Sequence, residues 1–165
     1  SQEAIEIGLQ QTHWPARLDV ISKNPKIITD GAHNADATSH IVPYVKKIKN
    51  RKVLLLALSK GKDFASMVKD LVPLFNHIII TQSSFKPEES SIIAHEARKY
   101  SLNVEEIQKS TDAFIRALKI VDKDDTLFIT GSLYMVGDIM RYIKENNIIQ
   151  TFSDSSFTID NISSN

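Results

Sequence analysis

The run Val53-Leu54-Leu55-Leu56-Ala57-Leu58 is the strongest constraint in this chain. Apolar residues without a break leave no face for water, so a strand made of them must be covered on both sides. A parallel sheet flanked by helices gives that cover, and the rest of the chain follows the same pattern. Asp63 is placed to cap a helix that turns Phe64, Met67, Val68 and Leu71 inward. A strand over 77–81 leads to a helix over 88–100, and a short strand over 103–107 leads to a helix over 110–121 that buries Phe114, Ala117, Leu118 and Val121. A strand over 126–130 leads to a helix over 132–146. Upstream, two β-prone runs, 18–21 and 26–29, flank the turn-rich Ser22-Lys23-Asn24-Pro25 and read as a hairpin. A helix over 35–50 then sets Ala37, Ile41, Val45 and Ile48 on one face, with Pro43 implying a kink or a short first turn. Repeated strand–helix units predict an α/β fold, doubly wound around a mainly parallel sheet with one antiparallel strand.

Bulk properties narrow the function by exclusion. Twenty basic residues balance twenty acidic ones, so no global field points to nucleic acid or an anionic membrane. No apolar run approaches the ~20 residues that cross a bilayer, and Ser1-Gln2-Glu3 does not open a signal peptide. With no cysteine there is neither a disulfide framework nor a thiolate metal site, and the histidines lack metal-ligand spacing, so the expectation is a cytoplasmic protein without a metal centre of its own. Residues 1–13 read as the helical stub of a preceding domain, stopped at Trp14-Pro15. Residues 14–148 form the domain, and 149–165, rich in Ser, Asp and Asn, a flexible tail.

Chemistry concentrates where strands end. Asp30-Gly31-Ala32-His33-Asn34 follows the strand 26–29 directly. Asp30 offers acceptors suited to vicinal hydroxyls, Gly31 lets a ligand approach the backbone, and His33 and Asn34 make directional hydrogen bonds. The same residues read equally well as an Asp-Gly turn with Asn34 as an N-cap. Ser59-Lys60-Gly61-Lys62-Asp63 offers two lysines to a carboxylate or phosphate, Lys62 fitting a solvated loop better. Ser132, after Gly131, reads first as the cap of the last helix. Arg17, beside the rigid Trp14-Pro15, is held for phosphate contact. His40 and His95 fall on helix surfaces, and His77 opens a strand. Since an open parallel sheet puts all these strand ends on one edge, Asp30, His33, Lys60, Lys62 and Ser132 are expected to converge. The chain has no G-x-G-x-x-G, no G-x-x-x-x-G-K-[ST] and no G-x-S-x-G, which argues against a nicotinamide or flavin site, a P-loop of its own and a serine hydrolase.

Four motifs, Trp14-Pro15-Ala16-Arg17-Leu18, Asp30-Gly31-Ala32-His33-Asn34, Lys60-Gly61-Lys62-Asp63 and Gly131-Ser132-Leu133-Tyr134-Met135-Val136-Gly137, stand in the order found in folylpolyglutamate synthases. Over about residues 1–145 the chain resembles the C-terminal, Mur-ligase-type domain of that family, a Rossmann-like α/β unit. It departs at Ala16, where glycine is usual, at Ala35, where proline commonly follows the Asn, and at Glu88, where arginine tends to follow the proline. The resemblance implies an ATP-dependent ligase that adds L-glutamate to the γ-carboxylate of a folate through an acyl phosphate, in some members also acting on dihydropteroate. It implies that Arg17 contacts the ATP phosphates, that Asp30 takes the ribose hydroxyls, that His33 and Ser132 sit near the incoming glutamate, and that Lys60 binds its carboxylate. The P-loop, the Mg2+ ligands and most of the pterin site would belong to an N-terminal ATPase domain of the same polypeptide, and the fragment alone would be inactive. Two other readings stay open. One is a non-catalytic α/β module that binds a nucleotide or a partner, the other the C-terminal domain of a cell-wall Mur ligase.

Overall fold

The computed structural model describes residues 15–148. The helical stub, Trp14, His13 and the tail from 149 onward lie outside the described residues. Two short strands come first, β1 (Asp19–Lys23) and β2 (Lys26–Thr29). Alternating helices and strands follow: α1 (Ala35–Lys47), β3 (Lys52–Leu56), α2 (Phe64–Leu71), β4 (His77–Gln82), α3 (Ser90–Ala97), β5 (Val104–Lys109), α4 (Ser110–Ile120), β6 (Thr126–Thr130) and α5 (Leu133–Glu145). The strands form one sheet in the order β1-β2-β6-β3-β4-β5. The β1–β2 pair is antiparallel and every other pair parallel, as the alternating pattern and the hairpin predict.

Register sets two buried faces. Leu127 of β6 stands beside Ile27 of β2 and Val53 of β3, and Phe128 beside Ile28 and Leu54. Because side chains alternate along a strand, Ile27, Val53, Leu55, Leu127 and Ile129 face α4 and α5, where they meet Phe114, Leu118, Ile139 and Ile143. Ile28, Leu54, Leu56 and Phe128 face α1, α2 and α3 and pack with Ile41, Val45, Met67, Val68 and Leu71. Residues 53–58 are all fully buried, the outcome their composition demanded.

Helix limits follow the capping chemistry. Asp63 caps α2, its Oδ1 accepting from the Ser66 amide at 3.2 Å and its Oδ2 from the Ser66 hydroxyl at 2.7 Å. The helix expected over 88–100 shrinks to 90–97. Pro87 is instead bridged to Ser59, and the Glu88 amide donates to the Leu58 carbonyl at 2.8 Å, which keeps the chain extended through Glu89. Helix α1 runs through Pro43, which lies exposed on its outer side, and ends with Ile48 as its C-cap.

Gly131 locks the end of β6 to its neighbour. Its φ of 100° is a conformation that residues with a Cβ rarely adopt, and a Cβ there would strike the Ala57 carbonyl oxygen and lie 2.7 Å from Leu56 Cδ1. Gly131→Ala is expected to lower unfolding stability by at least about 3 kcal/mol, because strain and collision add. Chemical denaturation checks it, and a loss below 1 kcal/mol would show that the turn can relax.

On the outer strand β5, Glu105 receives two hydrogen bonds from the Arg116 guanidinium, both 2.8 Å, and His77 Nε2 lies 2.9 Å from Oε1, one of the same two oxygens, without hydrogen-bond alignment. Arg116 holds the Glu105 carboxyl below its usual range against the opposing effect of partial burial, and His77 adds to the lowering. A lowered folded-state pKa gives stability that is complete above about pH 5 and is lost as pH falls through the lowered value. Glu105→Gln should therefore destabilise by about 1 kcal/mol at neutral pH, a partly exposed pair being screened. The gap to wild type should close below about pH 4; a gap independent of pH from 7 to 3 would exclude the charge as its source.

Candidate functional site

The parallel strands all end at one edge of the sheet. There β6 hands the chain to α5 on one face, while its neighbours β2 and β3 hand it to α1 and α2 on the other. Loops that part to opposite faces leave a crevice, the usual ligand position in open α/β sheets. A cleft of about 570 Å³ lies at this point, between residues 15–18, the loop 30–33, the first two turns of α1 and Leu133 at the start of α5.

Asp30 organises the cleft. It is only 7% exposed, and its carboxylate is held by two backbone amides, Leu18 N to Oδ2 at 2.9 Å and Ala32 N to Oδ1 at 2.8 Å. Its own amide donates to the Ile129 carbonyl at 2.9 Å, and the Gly31 amide donates to the Ala16 carbonyl at 2.7 Å. Residues 15–18 are thereby bound to the loop after β2. They need that support, since Ala16 and Leu18 have φ values of 58° and 46°. Each such residue costs of order 1–3 kcal/mol, which two charge-assisted hydrogen bonds at about 1.5–3 kcal/mol each can offset. Gly31 permits the approach of α5, because a Cβ there would lie 2.9 Å from Leu133 Cγ and still closer to the end of that side chain.

His33 is half-buried, with Nδ1 3.1 Å from the Gly31 carbonyl oxygen. In the tautomer that makes this bond Nδ1 carries the proton, which leaves Nε2 as an acceptor for a ligand. Asn34 caps α1, its Oδ1 accepting from the Ala37 amide at 2.8 Å. Arg17 stands exposed at the rim. The structure thus gathers Arg17, Asp30 and His33 around one space, and not the other two candidates. Ser132 is 1% exposed, and its hydroxyl caps α5 by accepting from the Met135 amide at 3.4 Å. Lys60 is exposed after β3 and does not line the cleft. Its amide donates to the Lys86 carbonyl at 2.9 Å, which ties it to the loop after β4. Lys62 is likewise exposed outside the cleft.

Two polar residues of the wall were not singled out as site residues in the sequence. Asp36 and His40 line the cleft from α1, although His40 read as an ordinary helix-surface residue. Their spacing with Ala37 and Ile41 puts all four on one helical stripe, so the helical period starting from Asn34 carried the signal. Among the described residues no group of three or more His, Asp or Glu side chains comes together to hold a metal ion.

Comparison with known proteins agrees with this geometry. Residues 16–133 match the family model described as Mur ligase, glutamate ligase domain. The folylpolyglutamate synthase of Lacticaseibacillus casei is 29% identical over 136 residues, covering 82% of this chain and 31% of that protein. The dihydrofolate synthase/folylpolyglutamate synthase of Bacillus subtilis is 26% identical over 147 residues, covering 87% of this chain and 34% of its own length. Among solved structures, E. coli FolC in complex with DHPP and ADP superposes with a TM-score of 0.82 at 20% identity, over 89% of this chain and 35% of that one, and so shares the fold. The chain spans about a third of the length of these relatives. With the family model covering most of the described residues, the chain belongs to the Mur ligase family and carries its glutamate ligase domain.

Proposed function

We propose that this chain is the C-terminal domain of a folylpolyglutamate synthase, an ATP-dependent ligase that adds L-glutamate to the γ-carboxylate of a folate. The observation that carries the proposal is the Asp30–His33 loop, held by backbone hydrogen bonds at the sheet's ligand edge with Arg17 beside it. The names of the relatives support the folate branch, as does the Gly131–Gly137 motif. In such a reaction the carboxylate is activated as an acyl phosphate, the glutamate amine attacks its carbonyl carbon, and phosphate leaves. Positioning and neutralisation of charge supply most of the catalysis.

The residues take roles that their geometry permits. Each Asp30 oxygen has one lone-pair site filled by an amide and one to spare, enough for the two hydroxyls of a ribose. Arg17 at the rim suits the ATP phosphates. His33 and the N-terminus of α5, capped by the buried Ser132, sit near the incoming glutamate, and Lys60, exposed outside this cleft on the loop after β3, would meet its carboxylate from there. Relatives of this fold are described as complexed with AMPPNP and Mn ion, or with ADP. In this reading Mg2+ would be held, with the P-loop, by a preceding domain. No helix among the described residues is long and apolar enough to cross a membrane, and we place the ligase in the cytoplasm.

Two measurements test this reading. The 165-residue chain alone should show no glutamate-dependent ADP release; ligation by the purified chain would overturn the division of labour. In the intact ligase, Asp30→Asn should raise the KM for ATP about tenfold, the loss of one charged hydrogen bond to the ribose, with the KM for L-glutamate nearly unchanged. An unaltered kcat/KM for ATP, in a variant shown to be folded by its melting transition, would remove Asp30 from the nucleotide site.

A further inference from the structure

A second cleft, of about 540 Å³, opens at the same edge but on the α4–α5 side of the sheet, at the ends of β4 and β5. None of Arg17, Asp30, His33, Lys60 or Ser132 lines it. Helix α4 starts there directly after β5. Its N-cap position is held by Lys109, a side chain with no acceptor, and no side chain caps the helix. The positive end of an eleven-residue helix is therefore left without a side-chain acceptor.

Two further residues of this wall are donors without partners. Ser110 is only 7% exposed and lines the cleft, yet its hydroxyl makes no hydrogen bond among the described residues. Arg141, exposed on α5, lines the cleft and has no ion-pair partner among the described residues. Three carboxylates stand nearby. Asp138 is engaged by the Ser84 amide at 2.9 Å and the Ser84 hydroxyl at 2.8 Å. Asp112, in the first turn of α4, pairs with Lys109 Nζ at 3.4 Å, and Glu145, one turn past Arg141 on α5, makes no ion pair with it.

We propose that this cleft binds a small oxyanion, a carboxylate or phosphate group, between the N-terminus of α4, the Ser110 hydroxyl and the Arg141 guanidinium. Backbone amides at a helix start accept either group, and a guanidinium pairs with either through two parallel hydrogen bonds. Asp138 and Glu145, about one turn to either side of Arg141 on α5, limit the ligand to one compact anionic group, and an ammonium next to that group, as in an amino acid, would meet them.

Amide NMR of the full 165-residue chain, titrated separately with inorganic phosphate and with L-glutamate against matched sodium chloride, tests the site. At least one ligand should shift the Ser110, Thr111 and Asp112 amides saturably. A response to phosphate alone identifies a phosphate group as the ligand, and a response to glutamate alone an amino-acid carboxylate. Arg141→Ala should weaken that binding about tenfold and Ser110→Ala about fivefold, with the rest of each spectrum unchanged as the control for folding. The proposal is overturned if neither ligand saturates these amides. It is equally overturned if the shifts fall only around His33 and Ser132, or if Arg141→Ala leaves the binding intact.

Discussion

The rest of the structure depends on the position of β6. The last strand of the described chain lies between β2 and β3 and is buried along its whole length. Apart from β1, it is the only strand among the described residues that β2 pairs with. A two-stranded hairpin is marginal by itself, so β1 and β2 acquire a fixed place only when β6 has docked. The register couples Lys26 to Thr126, contacts that are distant in sequence. Such pairings are costly in chain entropy and form late. The loop that bears Asp30 is therefore assembled by the far end of the domain, through the bond from the Asp30 amide to Ile129.

That dependence fixes the shape of the first cleft. The Asp30 carboxylate binds the amides of Leu18 and Ala32, and the Gly31 amide binds Ala16. A segment with two left-handed non-glycine residues is thus held in a conformation it would not keep by itself. Ala16 occupies a position where φ is 58°, a value that suits glycine, and it stands where glycine is usual in the related motif. Strain at the binding edge is maintained by a buried acid, and a ligand that used the same acid would find its geometry set in advance.

How much of this was legible in the sequence differs from element to element. Continuous apolar runs and capping residues sufficed for the strands and most helices, because burial on both faces and a side-chain acceptor at a helix start are local properties. The shortened α3 was not local, since it follows from the bridge between Pro87 and Ser59, residues on different loops. The convergence of Asp30 and His33 was legible from strand ends, whereas that of Arg17, which precedes β1, was not, because it depends on the bond from the Gly31 amide to Ala16. The separation of Lys60 from that cleft was not, because it turns on the loop pairing of Lys60 with Lys86. His40 was missed as a cleft residue, since a histidine on an exposed helix face looks ordinary until the helix is placed beside a crevice.

The distribution of exposure determines where recognition can reside. Asp30, Asn34 and Ser132 each already hold one or more backbone amides, which makes them part of the fold before they are part of a site. Replacing any of them removes a bond that the fold itself uses, so a loss of activity would mix structural and ligand effects. Arg17 and Lys60 are exposed and His33 half-buried. His33 still has Nε2 to offer when Nδ1 carries the proton. In a cleft whose walls are fixed, discrimination between ligands falls to side chains that can still reorient and whose desolvation is completed only by the ligand. Under the proposed function, selectivity would therefore belong to the rim, with the buried acid beneath supplying the geometry against which the rim acts.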